Sequence, residues 1–118
     1  MSLSNFSYLE QEFPILFNIG QAAECNLHTD PVTCLFKLRL FAEKLSEYIF
    51  TKHKLEYPYK NTFHNRLKTL ELEGILPDAV KDLLHSIKNK GNLAVHDSIG
   101  SPEDAKSILF STFKISKW

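Results

Sequence analysis

The stretch from Val32 to about Lys52 constrains the fold more than any other part of the chain. Cys34, Leu38, Phe41, Leu45 and Tyr48 recur every three or four residues, and Leu35, Phe36, Leu40 and Ile49 widen that stripe into a broad apolar arc. This spacing matches the repeat of an α-helix, not the two-residue repeat of a strand. A helix apolar over so wide an arc needs neighbours on several sides, so the pattern predicts the central member of a helical domain. Asp30-Pro31 marks its start. The carboxylate can accept bonds from unpaired first-turn N–H groups, and proline at the first helical position gives up an N–H that had no intrahelical partner.

The rest of the chain reads the same way. Phe6, Leu9, Phe13, Leu16, Gly20, Ala23 and Leu27 continue one helical stripe, but Pro14 lies inside it. Proline clashes with the preceding turn, so the expectation is a short first helix ending near Phe13 and a second from Pro14 to about His28. Leu55 to Lys60, with Pro58, is a connection, after which Asn61 is the expected cap of a helix that points Phe63, Leu67 and Leu70 inward and ends at Gly74. Pro77 and Asp78 open a helix with Val80, Leu84, Ile87, Gly91 and Val95 on its inward row, and Lys81, Asp82 and Asn89 nearer solvent. Gly91 costs about 1 kcal/mol of helix propensity in that row, while its missing side chain lets another helix approach closely.

Ser98-Ile99-Gly100 predicts a tight break, and Ser101-Pro102-Glu103-Asp104 a capped start with two acids at the positive helix end. Ala105, Ile108, Leu109, Phe113, Ile115 and Trp118 keep helical phase to the last residue, from which we expect an N-terminal fragment of a longer protein. With no alternating run and no internal repeat, the expected fold is all-α: a single domain over residues 1–118, built as an antiparallel four- to five-helix bundle.

At 118 residues and 43% hydrophobic, the chain suits one core. Fourteen basic and fourteen acidic side chains cancel, so attraction to nucleic acid or an anionic membrane would have to come from a local patch. No segment has the length or leading basic run of a membrane span or secretory signal, and the expected location is the cytoplasm. Cys25 and Cys34 read as buried free thiols. His28, His53 and His64 lack metal-ligand spacing, and the P-loop, dinucleotide and nucleophile-elbow fingerprints are absent. Neither a metal nor a cofactor is therefore expected in this chain.

Polar groups gather in Lys88-Asn89-Lys90-Gly91-Asn92-Leu93-Ala94-Val95-His96-Asp97. Asn92 and His96, four apart, share a helix face, and His85, Lys88 and Asn89 extend that stripe. His96 could act as a general acid or base, since an imidazole titrates near neutral pH. The alternative is that it ends the helix and, when charged, favours the negative dipole end, with Asn92 satisfying a loop backbone. Arg39 and Glu43 form an i, i+4 pair that would position His96 if buried beside it, or remain a surface pair. Lys81, Lys88 and Lys90, with Lys37, Arg39 and Lys44, could touch phosphates or form a solvated face.

Taken in order, Ala22-Ala23-Glu24, Asp30-Pro31, Leu35, Lys37, Arg39, Phe41 and Glu43 resemble the N-terminal segment of type I restriction R subunits. Ser4-Asn5-Phe6 fits the opening of that family, and Gly91-Asn92, Ala94-Val95-His96, Asp104-Ala105, Leu109, Phe113 and Trp118 carry the likeness over nearly the whole chain. The domain type is similar to HEPN domains, helical bundles of bacterial defence systems that often pair through helix faces. Many are ribonucleases with an arginine, a polar residue, three further residues and a histidine on one helix. Asn92 and His96 match that motif, but Gly91 stands at the arginine position, removing a bidentate phosphate clamp that Lys88 or Lys90 would replace only with a point charge.

The resemblance implies a non-catalytic accessory or interaction domain whose partners are the remainder of the R subunit and the methyltransferase core, with a homodimer as a further option. It implies ATP and Mg only for the parent, an ATP-dependent DNA endonuclease and translocase. The alternative it leaves open is a HEPN-type ribonuclease or nucleic-acid-binding module using His96 and nearby lysines.

Overall fold

The computed structural model describes residues 6–97 and 100–116. A 3-10 turn at Ser7–Leu9 precedes five helices: α1 (Pro14–Asn26), α2 (Pro31–Lys52), α3 (Phe63–Leu72), α4 (Asp78–Asp97) and α5 (Pro102–Ser116). No described residue lies in a strand. As its apolar arc requires, α2 is the axis of the bundle, and α1, α3, α4 and α5 all pack on it. Cys34, Leu35, Leu38, Phe41 and Ala42 are wholly removed from solvent. The α4 helix runs antiparallel to α2, because Arg39 lies against Gly91 whereas Leu35, one turn earlier, lies against Gly100.

Two apolar regions meet at α2. The larger joins Leu38 to Leu67 of α3, Leu84 and Ile87 of α4, and Ala105 and Ile108 of α5. The second gathers Phe6, Leu9, Leu16 and Phe41, with Phe113 of α5 at its margin. Gly20 makes room for this second region, since a Cβ there would lie 2.7 Å from the Phe6 ring.

The helix starts follow the expected chemistry. Asp30 accepts the Thr33 backbone N–H at 3.1 Å and the Thr33 hydroxyl at 2.6 Å, while Ser101 Oγ accepts the Asp104 N–H at 3.0 Å. The Thr33 hydroxyl, helped by its backbone N–H, holds the Asp30 carboxyl below its ordinary range. A depressed folded-state pKa contributes stability that is complete above the unfolded-state value and is lost as pH falls through the folded-state value. Asp30→Asn, which keeps a good cap but cannot titrate, should therefore flatten the acid side of the stability profile while changing little at neutral pH. Denaturant midpoints measured across the acid range check this, and an unchanged acid slope would count against it.

Several expectations are corrected. The segment before Pro14 is a single turn rather than a helix reaching Phe13, because Phe13 takes φ −134° and ψ 66°, as the residue ahead of a proline is driven out of the helical region. The α1 helix ends at Asn26, two residues before His28. Thr62, not Asn61, caps α3: its hydroxyl accepts the Asn65 N–H at 3.1 Å, and the Asn61 side chain is instead taken by Arg66. On α4 the inward row closes with Ala94, and Val95 is exposed. Phe36, placed on the apolar arc of α2, is also exposed. Gly74 does end α3, in the left-handed conformation at φ 67° that glycine adopts without steric cost. Ser98-Ile99 of the expected break and Trp118 of the expected last helix lie outside the described residues.

The cysteines divide as well. Cys34 is buried and Cys25 is exposed, and burial pushes the Cys34 thiol up to about 11. At neutral pH a thiol reagent should label Cys25 alone in the native protein and reach Cys34 only in denaturant. Mass spectrometry showing two labels on the folded chain would refute that division.

Candidate functional site

The polar motif of α4 faces α2 across its closest approach. Gly91 is buried, and a Cβ on it would lie 2.4 Å from the Arg39 Cβ and 2.9 Å from the Arg39 Cγ and Cδ. The aliphatic stem of Arg39 thus fills the space a side chain at position 91 would need. Beyond it, Arg39 Nε donates to Asn92 Oδ1 at 2.7 Å and Nη1 donates to Glu43 Oε1 at 3.0 Å. The guanidinium carbon also sits 5.9 Å from the centre of the Phe63 ring, within reach of a cation–π attraction. Arg39 and Glu43 are each about one-quarter exposed, so the pair is partly screened, and its main effect is directional: Glu43 holds the guanidinium within α2 while the Nε bond to Asn92 joins α2 to α4.

The sequence places Arg39, Glu43, Asn92 and His96 as one candidate cluster, and three of them meet. His96 lies in the last turn of α4, is exposed, and makes no side-chain hydrogen bond or ion pair among the described residues. Lys88 is buried, with its ammonium 3.0 Å from His64 Nδ1. Lys90 reaches Asp104 of α5 at 3.2 Å, and that hydrogen bond holds the Asp104 carboxyl below its ordinary range. His85 pairs with Glu71 of α3. The other three lysines of the expected basic group have local partners: Lys81 with Asp78, Lys44 with Glu47, and Lys37 with the Phe36 ring.

Arg66 is the residue that pattern reading passed over. It is 4% exposed, and its Nε donates to Ser46 Oγ of α2 at 2.9 Å. The signal was present, because Phe63, Arg66, Leu67 and Leu70 form one i, i+3, i+4, i+7 row, and an arginine in an inward row has to find buried acceptors. No group of three His, Cys, Asp or Glu among the described residues could hold a metal ion, and no described helix is long and apolar enough to cross a membrane.

The chain is similar to the type I restriction enzyme EcoKI endonuclease subunit of Escherichia coli (strain K12), with 30% identity over 118 residues. All of this chain is matched, and it spans 10% of the length of that curated relative. No solved structure gives a significant match. Residues 21–115, which run from the middle of α1 to the last residue but one of α5, match the family described as Domain of unknown function (DUF4145), and the chain belongs to that family.

Proposed function

We propose that this chain is a non-catalytic interaction domain of a type I restriction R subunit, with a HEPN-like helical arrangement. It docks to the remainder of that subunit and to the methyltransferase core of a cytoplasmic DNA-restriction complex that serves in defence. One observation carries the reading: Arg39, whose guanidinium would be needed to grip a substrate phosphate, already has Nε on Asn92 and Nη1 on Glu43. With Gly91 in contact with the Arg39 stem, Asn92 of the motif binds α4 to α2. Lys88 and Lys90, the other cations near the motif, are engaged by His64 and Asp104. Exposed Leu93 and Val95 on the last turns of α4 give such a domain apolar contact area beside its fixed polar seam. ATP and Mg belong to the parent's chemistry and have no assigned place in this domain.

The test is deletion in the parent. A restriction R subunit lacking the stretch that corresponds to residues 1–118 should no longer co-purify with the methyltransferase subunits, and DNA cleavage should fall with assembly. Full assembly and cleavage by the truncated subunit would overturn the proposal. Labelled RNA incubated with the wild-type chain should remain intact, whereas cleavage abolished by His96→Ala would replace the interaction role with a ribonuclease.

A further inference from the structure

We propose that the cleft between α2 and the first turn of α3 binds phosphate, with Arg66 as its central charge. The cleft has a volume of about 450 Å3 and is lined by Arg39, Glu43 and Glu47 of α2 and by Asn61, His64 and Arg66, a size in the range of small-ligand sites.

The argument begins with an uncompensated charge. A guanidinium stays protonated at any pH a protein experiences, and an ion withdrawn from water is ordinarily paired with its opposite. Arg66 is 4% exposed, yet its acceptors are all neutral: Ser46 Oγ at 2.9 Å, Asn61 Oδ1 at 2.8 Å and the Asn61 carbonyl at 3.3 Å. No carboxylate among the described residues lies within 4.0 Å of it. Nη2 has no protein acceptor among the described residues, and no fully buried side-chain polar atom there lacks a partner, so Nη2 keeps solvent contact on a residue that lines the cleft.

A second cation repeats the pattern. Lys88 is 9% exposed, its ammonium is 3.0 Å from Nδ1 of His64, and no carboxylate among the described residues lies within 4.0 Å of it. The two carboxylates of the cleft do not cancel these charges, since Glu43 is paired with Arg39 and Glu47 with Lys44.

The start of α3 adds to the same field. Thr62 caps the helix through the Asn65 N–H, which leaves the Phe63 and His64 N–H groups, both on residues that line the cleft, to other acceptors. Helix N-termini of this kind favour anions. Diverging donors from a guanidinium and a helix end suit a tetrahedral group with oxygens on several sides. A phosphate anion also balances the charge of Arg66, which no carboxylate lining the cleft pairs. A planar carboxylate offers only two oxygens and one charge. Arg39 lines one wall of the cleft, but Arg66 bonds only Ser46 and Asn61 and makes no bond to the Arg39–Asn92 pair, so the inference does not depend on the docking role.

The experiment is an amide NMR titration of the full 118-residue chain with inorganic phosphate at fixed ionic strength, chloride being the control. Saturable shifts at the Phe63 and His64 amides and at Arg66 Nε are expected. Asn61→Asp puts a carboxylate on Arg66 Nη1 and should weaken binding by about tenfold or more, the equivalent of one charge-assisted bond. His64→Asp, at an exposed position where a first-turn acid suits the helix, is a second variant with the same expected outcome should Asn61→Asp fail to fold.

Absence of saturable shifts, equal shifts with chloride, or undiminished affinity in a folded variant would overturn the site. A nucleoside monophosphate and a single-stranded oligonucleotide, titrated in parallel, identify the source. Tighter binding of the oligonucleotide with steep salt dependence marks a phosphodiester ligand, and tighter binding of the nucleotide marks a monoester.

Discussion

Gly91→Ala is expected to destabilise the protein by roughly 2 kcal/mol, although alanine is the better helix former by about 1 kcal/mol. Helix propensity alone predicts the opposite sign. The sign is decided by what the new methyl meets: the Arg39 Cβ at 2.4 Å, an atom fixed to the α2 backbone that cannot swing away as a side-chain tip could. Relief requires α2 and α4 to separate, which would loosen their shared contacts around Leu38 and Ile87 and stretch the 2.7 Å bond from Arg39 to Asn92. For a domain of this size the loss corresponds to a fall in Tm on the order of 10 °C. Arg39→Ala should not rescue it, because the colliding Cβ remains. Thermal melts of the two single variants and the double variant decide the matter, and a Tm equal to or above wild type for Gly91→Ala would show that the helices are less closely packed than described.

The second large effect is expected at Phe41. Its ring is wholly buried on α2, 5.3 Å centre to centre from the Phe6 ring, in the region that joins the N-terminal turn and α1 to α5. Phe41→Ala should cost about 3–5 kcal/mol, a large share of the roughly 5–15 kcal/mol that holds such a domain folded. Phe6→Ala removes the facing ring. The double variant should lose less than the sum of the two single losses, because each ring is part of the other's packing. Urea unfolding of the four proteins measures the difference, and strict additivity would show that the rings contribute independently.

These two sites show what could be read from residues alone. The Asp30-Pro31 and Ser101-Pro102 starts and the Gly74 stop are local signals, set by caps and by proline and glycine geometry, and the observed helices obey them. The close approach at Gly91 was legible because a glycine in an apolar row has few other uses. Which atom it meets was not, since that depends on how α2 lies across α4. The exchange of Val95 for Ala94 has a simple origin: stepping by four from Gly91 overshoots the 3.6-residue repeat, and stepping by three lands on the buried face. Arg39, Glu43 and Asn92 could be grouped through spacing and charge. The inward place of Arg66 showed in its row and Lys88 belonged to the polar stripe, but their partners were not legible, because the acceptors that let a cation enter the interior, Ser46 and Asn61 for one and His64 for the other, are fixed only by the fold.

Near its two ends the described chain returns to one place. Phe6 and Phe113 pack edge to face with ring centres 5.9 Å apart, and the Tyr8 hydroxyl meets that of Ser116. A body whose entry and exit strands share a doorway can be inserted in a surface loop of a host protein without prying the loop open, and joining those ends while cutting elsewhere should leave the packing intact. Cuts in the α2–α3 connection, where Tyr59 is fully exposed, offer a natural new start for such a rearranged chain.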